Sequence, residues 1–197
     1  MGALTQKPHS KDHILPPEDV ARLRNACQDQ QEILLVDIPI QAGLRISELA
    51  HLNKTWLAPD DAISIPDRQH CDCGECTRLK GGLWTPKTKH GAREIPIQPA
   101  LARELREYLA KNESGFGFSR ISLWTKIKAI ARRAGVKGVF PHALRATCAT
   151  RFAEQGVSAA TLQYVMGWAT LESADSYVKS SKRRAQEELG RIWKNPS

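Results

Sequence analysis

The chain has 197 residues, of which 41% are hydrophobic and 25% charged, a balance typical of a soluble globular domain. Its 29 Lys and Arg residues exceed its 21 Asp and Glu residues, and the net charge of +8 favours polyanionic partners. Apolar runs stay below the length of about 18 residues that a membrane span needs. The N-terminus lacks the apolar segment of a secretory signal. We therefore expect a cytoplasmic protein whose five cysteines are free or metal-bound rather than disulfide-linked.

The first fifty residues predict a tail followed by helices. Residues 1–13 are polar and aperiodic, and we expect them to form a mobile tail. Residues 16–19 place prolines and acids in the first turn of a helix. A second helix is predicted from about Gln31 towards Arg45, with Gly43 near its end. Ser47 is predicted to cap a short helix from Glu48 onwards.

The middle of the chain predicts a small sheet, and the remainder predicts helices. Residues 62–66, 83–88 and 93–97 alternate apolar and polar side chains, which indicates a three-stranded antiparallel sheet. Residues 89–91 are predicted to form a hairpin loop. Helices are predicted at 99–111, 121–134, 141–155, 158–166, 170–179 and 182–194. The sequence therefore predicts an α+β fold that is mainly helical.

Two segments about a hundred residues apart carry side chains suited to phosphodiester chemistry. The first contains Arg45 in Gly-Leu-Arg-Ile-Ser-Glu-Leu, and the second runs from His142-Ala-Leu-Arg145 through Gly-Trp168 to Tyr177. Arginine forks match pairs of phosphate oxygens, and histidine moves protons near neutral pH. A tyrosine hydroxyl can act as a covalent nucleophile. This set can handle a phosphodiester without a metal.

These motifs resemble those of the tyrosine site-specific recombinases, the phage integrase family. The 23 residues from Arg145 to Trp168 and the nine from Trp168 to Tyr177 also suit that family. The resemblance implies a catalytic domain over residues 14–197 that cuts and rejoins double-stranded DNA of mobile elements through a 3′-phosphotyrosine. It implies no cofactor for catalysis. A topoisomerase-like strand cleavage and an inactive accessory DNA-binding protein are the alternatives.

The resemblance assigns a role to each of the principal residues. Tyr177 is the nucleophile, and Arg45 and Arg145 clamp the non-bridging oxygens of the scissile phosphate, where charge gathers in the transition state. His142 is the general base. Trp168 stands where most relatives have histidine, and its indole N–H can donate to a phosphate oxygen but cannot carry a proton.

A lysine and an acid complete the expected catalytic set. In the family a lysine between strands protonates the leaving 5′-oxygen, and Lys87 matches that element better than Lys89, two residues further on. Glu48 resembles the acid that positions the first arginine and the lysine, while the alternative is an ordinary acid on a helix surface.

A cysteine-rich segment at about 68–80 is an apparent insertion relative to the family. Cys71, Cys73 and Cys76, with His70 or His90 as a fourth ligand, form a candidate structural zinc site. The segment lacks the second C-x₂-C pair of common zinc motifs, so free thiols and a redox disulfide remain alternatives.

The two ends of the chain lead to expectations about assembly. In the family, a helix beyond the tyrosine docks on a neighbouring protomer, and we expect the predicted helix at 182–194 to support a homo-oligomer, a tetramer on DNA. The alternative is a helix that folds back on its own core. Residues from Leu15 onwards already resemble the catalytic domain, so the N-terminal core-binding domain of the family is expected to be absent from this chain.

Overall fold

The computed structural model describes residues 13–178 together with Leu189, Gly190 and Trp193, and it is mainly helical within those residues. The helices are α1 (Pro17–Asn25), α2 (Gln30–Gln41), α3 (Ile46–His51), α4 (Gly74–Lys80), α5 (Pro99–Lys111), α6 (Arg120–Ala134), α7 (Pro141–Glu154), α8 (Ala159–Met166) and α9 (Leu171–Asp175). The strands are β1 (Ala62–Ile65), β2 (Gln69–His70), β3 (Leu83–Trp84) and β4 (Arg93–Pro96), and 3₁₀ turns cover Lys54–Trp56 and Lys89–Gly91. The predicted α+β class is confirmed.

The strands form two separate two-stranded sheets rather than the single three-stranded sheet predicted. β1 pairs with β4 antiparallel, placing Ile63 opposite Ile95, and β2 pairs with β3 antiparallel, placing Gln69 opposite Trp84. β3 ends two residues before Pro86, which lacks the N–H that a longer ladder would need. The 3₁₀ turn at Lys89–Gly91 therefore connects different sheets, and the predicted hairpin loop at these residues is wrong.

The predicted insertion folds as a compact unit made of β2, α4 and β3. Cys73 caps the start of α4, because its Sγ accepts from the backbone N–H of Cys76 at 3.4 Å. Arg120 of α6 donates to Glu75 at 2.6 Å and fastens α4 to the helical part of the molecule. The sequence did not predict α4, because a seven-residue helix with one buried residue leaves no apolar periodicity to recognise.

The helix boundaries follow the sequence closely except around Arg45 and Tyr177. The helices predicted at 99–111, 121–134, 141–155 and 158–166 are confirmed to within one residue at each end. α3 begins at Ile46 because Arg45, not Ser47, is its N-cap residue. α9 ends at Asp175 rather than at 179, so Tyr177 lies just beyond it. The helix predicted at 182–194 lies outside the described residues apart from positions 189, 190 and 193, as does all of the predicted tail except His13.

The core is organised around α2. This helix packs against α5, α6 and α7, and its side chains Leu34, Leu35 and Ile38 are completely buried. Burial of each such side chain contributes about 1.5–3 kcal/mol to stability. No helix in the described part of the chain is long and apolar enough to cross a membrane. α2 is thus a rigid support for the loop that follows it and presents Arg45.

Candidate active site

Arg45 lies at the N-terminal end of α3, where contacts on two sides hold its side chain. Its backbone N–H donates to Glu48 Oε2 at 2.8 Å, and its Nη1 donates to Glu48 Oε1 at 2.7 Å. Its Nη2 donates to the carbonyl oxygen of Gly167 at 2.7 Å, which connects α3 to the end of α8. A guanidinium carries five N–H donors, so two contacts anchor it and leave capacity to bind an anion.

Arg145 projects from the buried side of α7 towards the same place. Only 4% of the residue is exposed, and its guanidinium donates to the carbonyl oxygens of Gly43 and Met166. Burial, and to a smaller extent the charge of Arg45, lowers the pKa of Arg145 to about 9, which still leaves the side chain charged at neutral pH. Two cationic side chains from different helices therefore converge beside the end of α8.

Arg93 of β4 is a third arginine of this cluster and, like Arg145, it is buried; the sequence motifs did not single it out. Its Nη1 and Nη2 donate to the two carboxylate oxygens of Glu48 at 3.0 and 3.1 Å, and its Nε donates to the carbonyl oxygen of Val165 at 2.7 Å. The alternation of β4 could have predicted that Arg93 points inward, because it lies two residues before the buried Ile95 and so shares its face of the strand.

Glu48 is the acid that links these arginines. It is fully buried on α3 and accepts from both Arg45 and Arg93. Burial by itself raises the pKa of the carboxyl, but the charge and hydrogen bonds of Arg93 and the charges of the other two arginines together outweigh that effect, and the net pKa is lowered. The charges of Arg145 and Arg45 act in the same direction. Glu48 is thus an ionised buried anchor.

His142 lies at the surface in the first turn of α7, three residues before Arg145 and on the same side of the helix. Partial desolvation and the positive charge of Arg145 lower the pKa of its imidazole below the usual value. The charges of Arg45 and Lys87 lower it further. The ring is therefore neutral near pH 7 and able to accept a proton.

Trp168 and Tyr177 form a stacked pair at the edge of the arginine cluster. Their ring centroids lie 5.2 Å apart with an angle of 15° between the planes, and the Cζ of Arg145 lies 6.0 Å from the Trp168 ring centroid. Burial raises the pKa of Tyr177, and the charge of Arg145 opposes that shift without cancelling it. The phenol is therefore protonated at neutral pH and must lose its proton to become a nucleophile.

Lys87 lies on the exposed connection between β3 and the Lys89–Gly91 turn. The neighbouring Thr88 donates through Oγ1 to the carbonyl oxygen of Gly167 at 3.4 Å, which brings this connection to the end of α8. The charge of Lys87 contributes to the lowered pKa of His142. Lys87 thus lies close enough to the cluster for its charge to act on His142.

The arrangement is chemically suited to an anion, and a phenol lies at its edge. The described residues gather three guanidinium groups around a single buried carboxylate, so positive charge predominates. A neutral imidazole and an exposed lysine offer one proton acceptor and one proton donor. Such a set suits a phosphodiester, which needs charge neutralisation and two proton transfers when it is attacked by a hydroxyl.

A second cluster lies at the far end of α3. The ligand atoms of His51, Cys71, Cys73 and Cys76 all lie within 4.8 Å of one another. The histidine beside the three sulfurs is therefore His51 rather than His70. The His70 side chain is 74% exposed and turns towards Asp72, with 3.4 Å between Nδ1 and Oδ1. Nothing in the local sequence reveals His51, because it precedes β1 in the chain and only the fold brings it to the cysteines.

Comparisons with known proteins agree with this architecture. The model of the phage integrase family matches residues 13–184. The tyrosine recombinase XerA of Thermococcus kodakarensis is 30% identical over 207 residues, which cover 95% of this chain and 66% of that protein. The chain spans between about half and two thirds of the length of the curated relatives that it resembles.

Solved structures show the same fold. The Tn1549 transposon integrase in complex with circular intermediate DNA superposes with a TM-score of 0.71 at 22% identity, over 95% of this chain and 68% of that one. The catalytic domain of bacteriophage HP1 integrase superposes with a TM-score of 0.64 at 21% identity, over 93% of this chain and 98% of that domain. In fold, therefore, this chain matches an isolated catalytic domain over nearly its whole length.

Proposed function

Because the chain belongs to the phage integrase family, we propose that it is the catalytic domain of a site-specific recombinase that cuts and rejoins DNA through Tyr177. The observation that carries this proposal is the convergence of Arg45 and Arg145 beside the end of α8, with Trp168 stacked on Tyr177 at their edge. A guanidinium pair next to a phenol matches the needs of phosphoryl transfer to tyrosine.

In the proposed reaction the Tyr177 oxygen attacks the scissile phosphorus. The new bond joins the phenolic oxygen to phosphorus, and the bond from phosphorus to the 5′-oxygen breaks. His142 takes the phenol proton, and Lys87 delivers a proton to the departing 5′-oxygen. Arg45 and Arg145 donate to the non-bridging oxygens, whose charge increases in the transition state. Attack by a 5′-hydroxyl on the phosphotyrosine reverses these steps and rejoins DNA.

Trp168 stands where most relatives have histidine, and the two side chains differ in the proton transfers that they can perform. The indole N–H can donate to a non-bridging oxygen, but it cannot accept a proton. The proposed proton transfers consequently fall to His142 and Lys87 alone. The reaction needs neither ATP nor a metal ion, since the phosphotyrosine keeps the energy of the broken phosphodiester bond.

Covalent trapping on nicked DNA tests this function. A duplex from the sequence that flanks the gene, nicked close to the cleavage site, lets the short 5′-hydroxyl strand diffuse away and prevents rejoining. The wild type should give a protein–DNA band on denaturing gels, and Tyr177→Phe should give none. Tyr164→Phe is the matched control, because Tyr164 is exposed and donates no catalytic group in the proposal. A band with Tyr177→Phe would contradict the proposed nucleophile.

The same experiment separates the alternative functions. Relaxation of supercoiled plasmid without a specific sequence would favour a topoisomerase-like activity. Tight DNA binding with no covalent product, when an N-terminal DNA-binding domain is supplied in trans, would favour an accessory binder.

The proposed partners are double-stranded DNA and further copies of this chain, with a tetramer as the active assembly. Leu189 and Trp193 lie in the segment predicted to dock on a neighbour, and they are 44% and 69% exposed. Deleting residues 185–197 should reduce cooperative assembly in gel shifts while leaving single-site binding in place. Unchanged cooperativity would count against docking through this segment. Because its proposed substrate is DNA, we propose that the protein works in the cytoplasm, at the nucleoid.

The proposed cofactor is a zinc ion with a structural role only. Three thiols and an imidazole suit zinc, which takes nitrogen and sulfur ligands in closed tetrahedral sites. Such an ion would stand outside the reaction, because the proposed proton transfers use His142 and Lys87.

A further inference from the structure

The cluster of His51, Cys71, Cys73 and Cys76 joins two parts of the molecule that are far apart in sequence. The cysteines belong to the segment from β2 to α4, and His51 is the last residue of α3. Cys76 is buried, whereas Cys73 is exposed beside a cleft of about 540 Å³ that gives solvent access to the sulfur. The cluster thus combines a closed interior with an entry path.

The spacing of the ligand atoms fits a tetrahedral ion. With bonds of about 2.3 Å to sulfur and about 2.0–2.1 Å to nitrogen, zinc holds nitrogen and sulfur roughly 3.6 Å apart. The His51 Nε2 lies 3.6 Å from Cys73 Sγ and 3.4 Å from Cys76 Sγ. All four ligand atoms lie within 4.8 Å of one another, a limit about an ångström above the sulfur–sulfur distance of roughly 3.8 Å in such a site.

The surroundings of His51 orient its ring for metal binding. Its Nδ1 lies 2.7 Å from the carbonyl oxygen of Ser47, and because a carbonyl can only accept, Nδ1 carries the proton. The unprotonated Nε2 then points its lone pair at the sulfurs. A ligating histidine that donates its other N–H to a backbone carbonyl is the usual arrangement around protein-bound metals. Stacking on Trp84, with centroids 5.2 Å apart, fixes the ring plane.

Contacts with the backbone support the sulfurs in the same way. The N–H of Cys73 points at Cys71 Sγ at 3.5 Å, and the N–H of Cys76 points at Cys73 Sγ at 3.4 Å. Such donors stabilise thiolates, the form in which cysteine binds a metal. Gln69 adds a link to α3, since its Nε2 donates to the carbonyl oxygen of His51 at 3.0 Å.

From these contacts we infer that His51, Cys71, Cys73 and Cys76 bind one zinc ion, which fastens the inserted β2–α4–β3 unit to the last turn of α3, the helix whose N-cap residue is Arg45. α3 has only six residues, too few for a helix to persist by its own hydrogen bonds. Its first turn is held by the Glu48 contacts, and the ion holds its last turn. The ion therefore stabilises the element that presents Arg45, whatever reaction the active site performs.

Metal analysis of the full chain, grown with zinc and purified without chelator, is the first test. Plasma mass spectrometry should find about one zinc atom per chain. Cobalt in its place should give the visible bands of a tetrahedral ion and a thiolate charge-transfer band. Less than about a tenth of an equivalent of zinc per chain would overturn the inference. So would a disulfide among these cysteines, detected by mass spectrometry after rapid acid quenching.

Matched variants identify the ligands. Cys73→Ser should lose zinc, and Cys27→Ser, at a half-buried cysteine remote from the cluster, should keep it. His51→Gln should lose zinc, and His70→Gln should keep it. His51→Gln also removes the stacking on Trp84, so circular dichroism must show that this variant folds. If it does not fold, the test rests on Cys73→Ser, which changes an exposed residue. Loss of zinc in His70→Gln with retention in His51→Gln and Cys73→Ser would overturn the ligand set.

Amide hydrogen exchange tests the connection to α3 without any DNA. Peptides covering residues 46–51 should exchange roughly tenfold more slowly with zinc than after chelation, whereas peptides from α5, remote from the cluster, should not change. Equal exchange in α3 with and without bound zinc would contradict the fastening role. A protein that binds zinc but never cleaves DNA would count against the proposed recombinase activity and leave this inference standing.

Discussion

At the scale of single residues, Lys87 and Lys89 differ in their electrostatic reach. Only Lys87 contributes to the lowered pKa of His142 among the described lysines, and its neighbour Thr88 contacts the carbonyl oxygen of Gly167. A general acid must protonate the leaving 5′-oxygen, and loss of such help typically costs about 10²–10⁴ in rate. We therefore expect Lys87→Ala to slow cleavage by that factor and Lys89→Ala to cleave at nearly the wild-type rate.

A substrate with sulfur in place of the bridging 5′-oxygen shows whether Lys87 acts as the acid. A thiolate leaves without a proton, so this substrate should restore single-turnover cleavage by Lys87→Ala but not by His142→Asn. Rescue of Lys89→Ala instead, or no rescue of either lysine variant, would contradict the assignment.

Trp168 makes the pH profile of cleavage simple. Because indole does not titrate, the acidic limb should report His142 alone. The pKa of His142 is lowered below the usual ~6.5. The ring can accept a proton at pH values above this lowered pKa, and the rate is lost as the pH falls through it. Single-turnover rates from pH 5 to 8 should show one such limb in the wild type, with a slope that corresponds to about one proton. Trp168→His should add a second titration, whereas a limb that persists in His142→Asn would contradict this origin.

At the scale of elements, the junction between α8 and the following turn decides how the site is assembled. Gly167 ends α8 with a φ of +58°, and its carbonyl oxygen accepts from Arg45. A Cβ at this position would lie 2.8 Å from the carbonyl oxygen of His90 and 2.9 Å from Arg93 Nη1. Both neighbours are fixed, one as backbone and the other as a buried, fully engaged side chain. The Gly-Trp motif thus has a backbone requirement in addition to the chemistry of Trp168.

Gly167→Ala should therefore lower both stability and activity. Strain of the left-handed backbone costs about 1 kcal/mol, and the displacement of Arg93 should raise the total to about 2–3 kcal/mol. Gly135→Ala is the matched control, since Gly135 also ends a helix with positive φ but has open space around its Cβ position. Urea unfolding should separate the two variants. Equal losses would show that backbone conformation alone accounts for the effect.

The elements also show which features a sequence pattern can predict. Helices with a strong apolar stripe, such as α5 and α6, were predicted almost to the residue, because burial of one face dominates their formation. The strand pairing was not, because the insertion supplies its own partner for β3 and pairing between distant segments leaves no local pattern. The same reason hid His51, which reaches the cysteines only through the tertiary fold.

At the scale of the whole molecule, spaced motifs named Arg45, Arg145, Trp168 and Tyr177, and the fold brings these side chains together beside the end of α8. The motif around Arg45 also predicted Glu48 as the acid that positions this arginine, but no motif revealed Arg93, the second partner of that acid. Glu48 and Arg93 form a fully buried ion pair between α3 and β4, and the carbonyl groups at the end of α8 complete its surroundings. This central network connects three parts of the chain that share no sequence pattern.

Replacing Glu48 with glutamine should consequently destabilise the entire fold. The change leaves the buried charge of Arg93 and the partly buried charge of Arg45 without their partner, and an uncompensated buried charge typically costs about 3–5 kcal/mol. Glu113→Gln is the control, because Glu113 pairs with Lys54 at the surface and its loss should leave the urea midpoint unchanged. The measurement is urea unfolding at neutral pH, and equal midpoints for both variants would contradict a central role for this carboxylate.

The pH dependence distinguishes lost charge from lost packing. The pKa of Glu48 is lowered in the folded protein, so its stabilising contribution is fully present above the unfolded value of about 4.3 and is lost as the pH falls through the folded value. The difference in stability between wild type and Glu48→Gln should therefore be constant from pH 7 to about 5 and shrink in more acidic solution. Glutamine and a protonated glutamate are nearly alike in size and neither can neutralise the two arginines, so the two proteins should converge in acid. A difference that stays the same at every pH would therefore contradict an origin in the charge of Glu48.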